Sequence, residues 1–148
     1  HAFFRRQRQM CIRDSIYLPN GSSRDQRQAY KDQWIEDLME WAEMFVGSEE
    51  PAILCGDLNI AHTEDDIWDP KGNKRSSGFL EHEREWFTRL LNRGWHDLLR
   101  IHIGPQKGPY TWWSNFRRAR SMMKSAEVMR EGGMVVSDHA PVIVDFDI

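Results

Sequence analysis

The sequence places a carboxylate and an amide two residues apart, at Asp57 and Asn59, directly after the apolar run 52–55. Alternation along a strand predicts that both side chains point to the same side. A carboxylate at the end of an apolar strand is costly unless it is paired or bound to metal, whereas an amide can hold a phosphate oxygen without adding negative charge. The pair therefore predicts a metal or phosphate site. The alternative is a loop-closing turn, because Asp and Asn commonly hydrogen-bond nearby backbone.

A second polar pair, Asp138 and His139, stands just before the apolar run 142–146 and offers a hard oxygen ligand beside an imidazole. The chain contains no Gly-x-Ser-x-Gly sequence, so a nucleophilic Ser137 is not expected. The histidines show no paired ligand spacing, which argues against zinc. Carboxylates and amides favour Mg²⁺ or Mn²⁺ instead.

Composition and charge limit the classes of partner. The chain has 148 residues, a net charge of -3 and no apolar stretch of the roughly 20 residues that a membrane helix needs, so a soluble protein with no membrane partner is expected. An acidic balance disfavours nucleic-acid binding by bulk positive charge. A polyanion would instead meet metal or local basic groups at Arg24, 71–75 and 117–120. Two cysteines in unrelated contexts, Cys11 and Cys55, predict reduced thiols and a cytoplasmic location.

Strand and helix signals alternate along the chain and predict an α/β domain with helices on one face of a largely β core. The segment 1–15 is basic and has no period, so it is predicted to be a non-native or disordered leader, and the domain is predicted to span 16–148. The predicted elements are strands at 16–18, 52–55, 109–113, 126–129 and 142–146, and helices over 22–47 and 81–93. Trp34 and Trp41, on one face of the first helix, are expected in the core.

Five groups of residues, in this order, resemble the motifs of one known family. They are YLPN at 17–20, GDLN at 56–59 with AHT at 61–63, SGF at 77–79 with EREW at 83–86, YTWW at 110–113, and SDHAP at 137–141. Together they resemble the exonuclease III and abasic-site endonuclease branch of the endonuclease/exonuclease/phosphatase superfamily. The resemblance covers nearly everything after Ser15. It implies a partial four-layer α/β sandwich of the DNase-I-like kind, formed mainly by its C-terminal half.

The resemblance also implies an activity, namely hydrolysis of DNA phosphodiesters assisted by Mg²⁺ or Mn²⁺. The DNA would be a duplex with an abasic site or a free 3′ end. Asp57 would orient and deprotonate the attacking water, and Asn59 and Asn20 would hold the scissile phosphate. Tyr17 would support the phosphate or the leaving oxygen.

The remaining roles fall on other motifs. Asp138 would bind metal together with Asp57 and Asn59, and His139 would donate a hydrogen bond to a phosphate oxygen. Trp112 or Trp113 would line the pocket for an extruded sugar. Arg24 and the basic clusters would contact the DNA backbone.

The chain departs from the family pattern in two places. The family's N-terminal half, which supplies an asparagine and a principal metal-binding glutamate, has no counterpart before Tyr17. An Arg-x-Asp-Tyr segment is missing between Arg120 and Ser121, so His139 lacks its orienting aspartate. We therefore expect an incomplete metal site, impaired activity, and a chain that exposes apolar sheet surface and self-associates, although the complete protein would be a monomer.

Two alternatives remain open. One is another phosphohydrolase of the superfamily, acting on RNA or on a phosphorylated lipid or sugar, although the motifs at 83–86 and 110–113 favour DNA. The other is a non-catalytic remnant that binds nucleic acid, which the missing glutamate supports. The nuclease hypothesis requires Asp57 and His139 to share one cleft.

Overall fold

The computed structural model describes residues 12–21, 25–48, 52–112 and 139. The chain divides into two compact units, one formed by His1–His62 with Pro70–Gly104 and the other by Thr63–Asp69 with Pro105–Ile148. In chain order the elements are β1 (Ile12–Tyr17), α1 (Asp25–Glu43), β2 (Ala52–Asp57), α2 (Glu81–Asn92) and α3 (Leu98–Ile103). Helices and strands alternate as predicted, so the α/β class is confirmed. No helix in the described part of the chain is both long enough and apolar enough to span a membrane.

Strands β1 and β2 pair in parallel, and α1 makes the crossover that a parallel pair requires. The pairing runs in register from Ile12 opposite Ala52 to Tyr17 opposite Asp57. The predicted strand start at Ile16 is wrong, because β1 begins at Ile12 and so overlaps the predicted leader. Arg13, Asp14 and Ser15 of β1 are polar, and pairing with β2 extends the strand where the sequence shows no apolar alternation. Residues 1–11 lie outside the described residues.

The apolar run 52–55 predicts a fully buried strand, and this prediction of burial is wrong. Residues 52–54 are only half-buried, and Cys55 and Gly56 are exposed. Among the described residues, β1 is the one strand that pairs with β2, so the far edge of β2 has no described partner strand. An apolar run indicates that a strand can be buried, but the strands and helices around it decide how much of its surface is covered.

The core lies between the two long helices and the carboxyl end of β1. Trp41 of α1 is buried and Trp34 packs against the cluster half-buried, which confirms the predicted stripe. From α2, Trp86 is fully buried and Leu90 lies beside it. Leu18, the residue after β1, is also fully buried, so the end of the first strand is anchored in the core. The predicted helix over 81–93 is confirmed, with Gly94 at φ +100° just beyond its end.

The C-terminal part of the described chain departs from the predicted elements. Helix α3 was not predicted; it has six residues and is capped by Asp97, whose side chain accepts a hydrogen bond from Arg100 N at 2.9 Å. The predicted strand over 109–113 is wrong for 109–111, where no strand forms, and pairing begins only at Trp112. Pro109 has no N–H to give to a ladder. The predicted strands at 126–129 and 142–146 lie outside the described residues.

Candidate active site

The carboxyl ends of β1 and β2 bring Tyr17 and Asp57 together as the last paired residues of the sheet. Residues opposite each other in a ladder project to the same face, so the phenol and the carboxylate share one side. Ile16 and Leu18 pack into the core, and alternation turns Tyr17 outward, where 69% of it is exposed. Asp57 is half-buried. The site therefore opens to solvent over a fixed edge of the sheet.

Asn59 lies beside this pair, but not by the strand alternation that the sequence suggested. Strand β2 ends at Asp57, and Asn59 takes a left-handed conformation with φ of 48°. Its backbone N–H donates to Asp57 Oδ1 at 2.9 Å, and its side-chain Nδ2 donates to Leu18 O at 2.7 Å. The turn alternative is therefore correct for the local bonding. The same turn still holds the amide next to the carboxylate, because Asn tolerates the left-handed region better than most residues.

The loop after β1 contributes Asn20 at the same end of the sheet. Its side chain is exposed, two residues beyond the buried Leu18. The next residue, Gly21, is buried, and its N–H donates to Ser77 Oγ at 3.1 Å. Arg24, predicted to contact DNA, lies outside the described residues.

Beneath these loops lies a buried ion pair that the sequence reasoning missed. Lys31 Nζ and Glu83 Oε1 are 2.6 Å apart, and both side chains are 0% exposed. A signal for it exists in the sequence: Lys31 lies four residues before the buried Ile35, and Glu83 lies three before Trp86. Each charged residue therefore occupies the apolar stripe of its helix, where an unpaired charge would be costly.

A cluster of metal-ligand-type side chains shares Glu83 with this pair. Oxygen and nitrogen atoms of Asp32, His82 and Glu83 lie within 4.8 Å of one another. They already bind each other and their neighbours: His82 Nε2 is 2.9 Å from Asp32 Oδ1, and Glu83 is occupied by Lys31. Gln28 Nε2 also donates to Asp32 Oδ1 at 2.7 Å. Ion pairs and hydrogen bonds between α1 and α2 therefore account for the closeness of these side chains.

In the second unit, His139 and Trp112 form an antiparallel bridge. Both residues are exposed, and 55% of Trp112 is open to solvent. Asp138 and Trp113 lie outside the described residues. Asp57 and His139 belong to different units, so their sharing of one cleft stays a prediction.

The second unit also contains a perturbed tyrosine. Burial raises the pKa of Tyr110, and the negative charges of Asp65 and Asp66 raise it further. The segment is held by Gly108 N, which donates to Asp65 O at 2.8 Å. The ring of Tyr110 meets Trp68 edge-on, with 6.0 Å between ring centroids.

Of the predicted DNA-contacting clusters, only 71–75 lies in the described part of the chain. Lys71, Lys74 and Arg75 are exposed there, in the turn that precedes α2. The cluster 117–120 lies outside it. These exposed side chains are accessible to phosphates, and their contact with the DNA backbone stays a prediction.

The chain is similar in sequence to known proteins of one family. The profile of the Endonuclease/Exonuclease/phosphatase family matches residues 3–122. An exodeoxyribonuclease of Bacillus subtilis is 42% identical over 107 residues, covering 72% of this chain and 42% of that protein. A DNA-(apurinic or apyrimidinic site) endonuclease of Dictyostelium discoideum is 36% identical, covering 90% of this chain and 42% of that protein. The chain thus spans less than half the length of these two curated relatives.

Solved structures agree with the sequence relatives. An AP endonuclease from Archaeoglobus fulgidus superposes with a TM-score of 0.62 and 25% identity, over 86% of this chain and 46% of that one. A 3′-5′ exonuclease from Neisseria meningitidis superposes with a TM-score of 0.66 and 28% identity, over 76% of this chain and 44% of that one. The resemblance drawn from the five motifs is confirmed, as is a partial α/β fold of the kind these nucleases share.

Proposed function

Because the chain belongs to the endonuclease/exonuclease/phosphatase family, we propose that it is part of an enzyme that hydrolyses DNA phosphodiester bonds, of the exonuclease III and AP endonuclease kind. One observation carries the proposal: Tyr17 and Asp57 end two parallel strands side by side, with Asn59 tied to both strand ends. This edge presents a phenol, a carboxylate and an amide to solvent on a rigid support. These are groups that phosphodiester hydrolysis can use.

In this proposal Asp57 accepts the proton of the attacking water. The hydrogen bond from Asn59 N to Oδ1 fixes the orientation of the carboxylate, so the attacking water would meet a base of defined direction. Asn59 and Asn20 hold the scissile phosphate, because neutral amides add no repulsion to an anion. The exposed phenol of Tyr17 donates to the phosphate or to the leaving oxygen.

The donor set at this edge fits Mg²⁺ or Mn²⁺ in chemical type. A carboxylate at Asp57 and an amide oxygen at Asn59 are hard oxygen ligands, and Mg²⁺ needs only one or two carboxylates when water and phosphate complete its shell. The Asn59 amide is already oriented, since its Nδ2 donates to Leu18 O. Asp138 would add a second carboxylate. When bound, the ion would neutralise charge that builds up on the phosphate.

The proposal also assigns roles in the reaction to residues of the second unit. His139 would donate a hydrogen bond to a phosphate oxygen and so stabilise the negative charge of the transition state. Trp112, exposed beside it, would line the pocket for an extruded sugar, with Trp113 as its neighbour in the chain. The basic residues Arg24 and 71–75 would contact the DNA backbone.

The names of the relatives support DNA as the substrate. They include an exodeoxyribonuclease and an apurinic or apyrimidinic site endonuclease, and a related Neisseria 3′ phosphatase has been solved with a product DNA hairpin. We extend this to duplex DNA with an abasic site or a 3′ end. We also propose that the complete protein is a cytoplasmic monomer.

A nicking assay tests the proposed activity. The substrate is a duplex with one abasic site, incubated with Mg²⁺ and with three proteins: the present chain, the chain joined to the N-terminal half of the Bacillus subtilis relative, and the joined protein carrying Asp57→Ala. We expect the joined protein to cleave, and Asp57→Ala to lower the rate by roughly 10²- to 10⁴-fold, the usual contribution of a general base.

Two results would contradict the proposal. One is cleavage that survives the Asp57→Ala substitution, which would remove the assigned base. The other is salt-dependent DNA binding by the joined protein with no cleavage at any Mg²⁺ or Mn²⁺ concentration, which would favour a binding module.

A further inference from the structure

The buried pair Lys31 and Glu83 links the two long helices to the loop after β2 and to the segment before α2. Besides its partner, Lys31 Nζ donates to Asn59 O at 2.8 Å. Glu83 Oε2 accepts from Gly78 N at 2.7 Å and from Leu80 N at 3.0 Å. The cation therefore holds the loop after β2, and the anion holds the segment before α2.

These two segments also bind each other directly. Ala61 N donates to Gly78 O at 2.8 Å, and Gly78 comes so close to Asn59 that a Cβ there would lie 2.9 Å from Asn59 O. The loop after β2 is thus enclosed between the ion pair and the segment before α2. Its backbone has little room to leave the left-handed conformation at Asn59.

Stability alone does not explain why these two charges are buried. Removing a lysine and a glutamate from water costs several kcal/mol per ion, and an apolar pair of similar volume is often equally stable or more so. An apolar pair, however, could neither donate to Asn59 O nor accept from Gly78 N. The charges are needed where backbone groups must be held in one arrangement.

We propose that Lys31 and Glu83 are positioning residues for the candidate active site, fixing the turn that orients Asn59 and, through it, Asp57. The two hydrogen bonds meet at Asn59. Lys31 Nζ donates to the carbonyl of Asn59, and the N–H of Asn59 donates to the carboxylate of Asp57. The importance of that orientation for catalysis rests on the proposed function. The positioning itself is a property of the fold and can be measured without DNA or metal.

Reversing the pair tests the inference. The double substitution Lys31→Glu with Glu83→Lys keeps one charge of each sign, but it leaves a carboxylate facing Asn59 O and an ammonium facing Gly78 N. We expect hydrogen exchange at the Asn59 amide, followed by NMR in the full chain, to quicken about tenfold or more, the effect of losing hydrogen bonds to a charged group. The single substitution Lys31→Arg keeps a cationic donor beside Glu83, so it should retain most of the exchange protection of the Asn59 amide.

The exposed pair Glu43 and Arg93 provides the matched control. Their charged atoms are 2.7 Å apart and also join the region of α1 to that of α2, but both side chains are largely open to solvent. Reversing this pair should leave Asn59 exchange within about twofold of the parent chain, because surface ion pairs contribute little.

A second variant covers the case in which the reversed pair does not fold. Lys31→Met with Glu83→Leu removes both charges together, so neither charge is left buried without its partner, and this variant is expected to fold. We expect the same acceleration of exchange at the Asn59 amide, larger than any change at the amide of Leu90 in the core of α2, whereas a purely stabilising role would quicken both amides equally. A folded variant of either kind with Asn59 exchange within twofold of the parent overturns the inference.

The activity of the same variants separates this inference from the proposed function. In the joined protein that cleaves DNA, loss of positioning should lower kcat by about tenfold or more and change KM less, because the base and not the DNA surface is misplaced. Unchanged kcat in a variant with faster Asn59 exchange overturns the catalytic part. If the joined protein does not cleave at all, the proposed function fails, while the exchange measurement still decides the positioning.

Discussion

Tyr17 and Asp57 face each other at the last paired position of two parallel strands. The buried Leu18 follows one strand, and its N–H donates to Asp57 O at 2.8 Å, so the ladder continues one bond beyond the strands themselves. The exposed phenol and the half-buried carboxylate are therefore set on two strand ends that are hydrogen-bonded to each other. Catalytic groups on such supports keep their geometry better than groups on free loops.

Replacement of Tyr17 by phenylalanine should affect activity without affecting stability. The side chain is 69% exposed, so loss of its hydroxyl should change the free energy of unfolding by less than about 0.5 kcal/mol. If the hydroxyl donates to the phosphate or the leaving oxygen, the nicking rate of the joined protein should fall by about 10²-fold. Tyr30→Phe is the control, since Tyr30 is also exposed, at 61%, but lies on α1. Equal rates for both variants would remove Tyr17 from the mechanism.

Asn59 should tolerate glycine better than alanine. Both changes remove the hydrogen bond from Nδ2 to Leu18 O, at a cost of about 1 kcal/mol. Alanine must also adopt φ of 48°, which adds about 1 kcal/mol that glycine avoids. Urea unfolding of the two variants measures the difference. Alanine as stable as glycine would show that the turn relaxes when the side chain is lost.

The helices could be predicted because their signals are local and periodic. Trp86 and Leu90 repeat at helical spacing, and Gly94 marks the end of α2, so both position and buried face follow from the sequence. Strand boundaries were harder to predict from the sequence. The start of β1 at Ile12 depends on pairing with Ala52, 40 residues away, and no local pattern records such a partner.

The candidate site was predicted in its residue types but not in its geometry. The sequence identifies Asp57 and Asn59 as a pair, but strand alternation does not relate their side chains, because β2 ends at Asp57. The supporting ion pair was missed because Lys31 and Glu83 lie 52 positions apart, and each alone resembles an ordinary charged helix residue. Their location on the buried stripes was the available signal.

A methyl group at Gly78 should destabilise the fold more than one at Gly47. Both glycines have positive φ, +90° and +75°, so alanine pays a similar conformational cost at each. At Gly78 the added Cβ would also lie 2.9 Å from Asn59 O, whereas at Gly47 it meets nothing within 4 Å. We expect about 1 kcal/mol for Gly47→Ala and about 2 to 4 kcal/mol for Gly78→Ala by urea unfolding. Equal losses would mean that the loop shifts freely away from Gly78.

Ionisation of Tyr110 should occur above the ordinary tyrosine pKa of about 10 and should depend on Asp65. Burial is the larger cause of the raised pKa, and the Asp65 charge is the next, so Asp65→Asn should lower the pKa without restoring it fully. The absorbance of tyrosinate during an alkaline titration measures it, in a chain in which Tyr17→Phe and Tyr30→Phe leave Tyr110 as the one tyrosine.

The same ionisation predicts the sign of an alkaline stability change. Because the folded state raises the pKa of Tyr110, it favours the neutral phenol. The resulting stabilisation is fully present below the unfolded value of about 10 and is lost as pH rises through the folded value. Tyr110→Phe cannot ionise, so its stability should fall less steeply than that of the parent chain over this range. A parallel decline in both proteins would show that Tyr110 ionises equally easily in the folded and unfolded states, contrary to the burial of its ring against Trp68 and the aspartates.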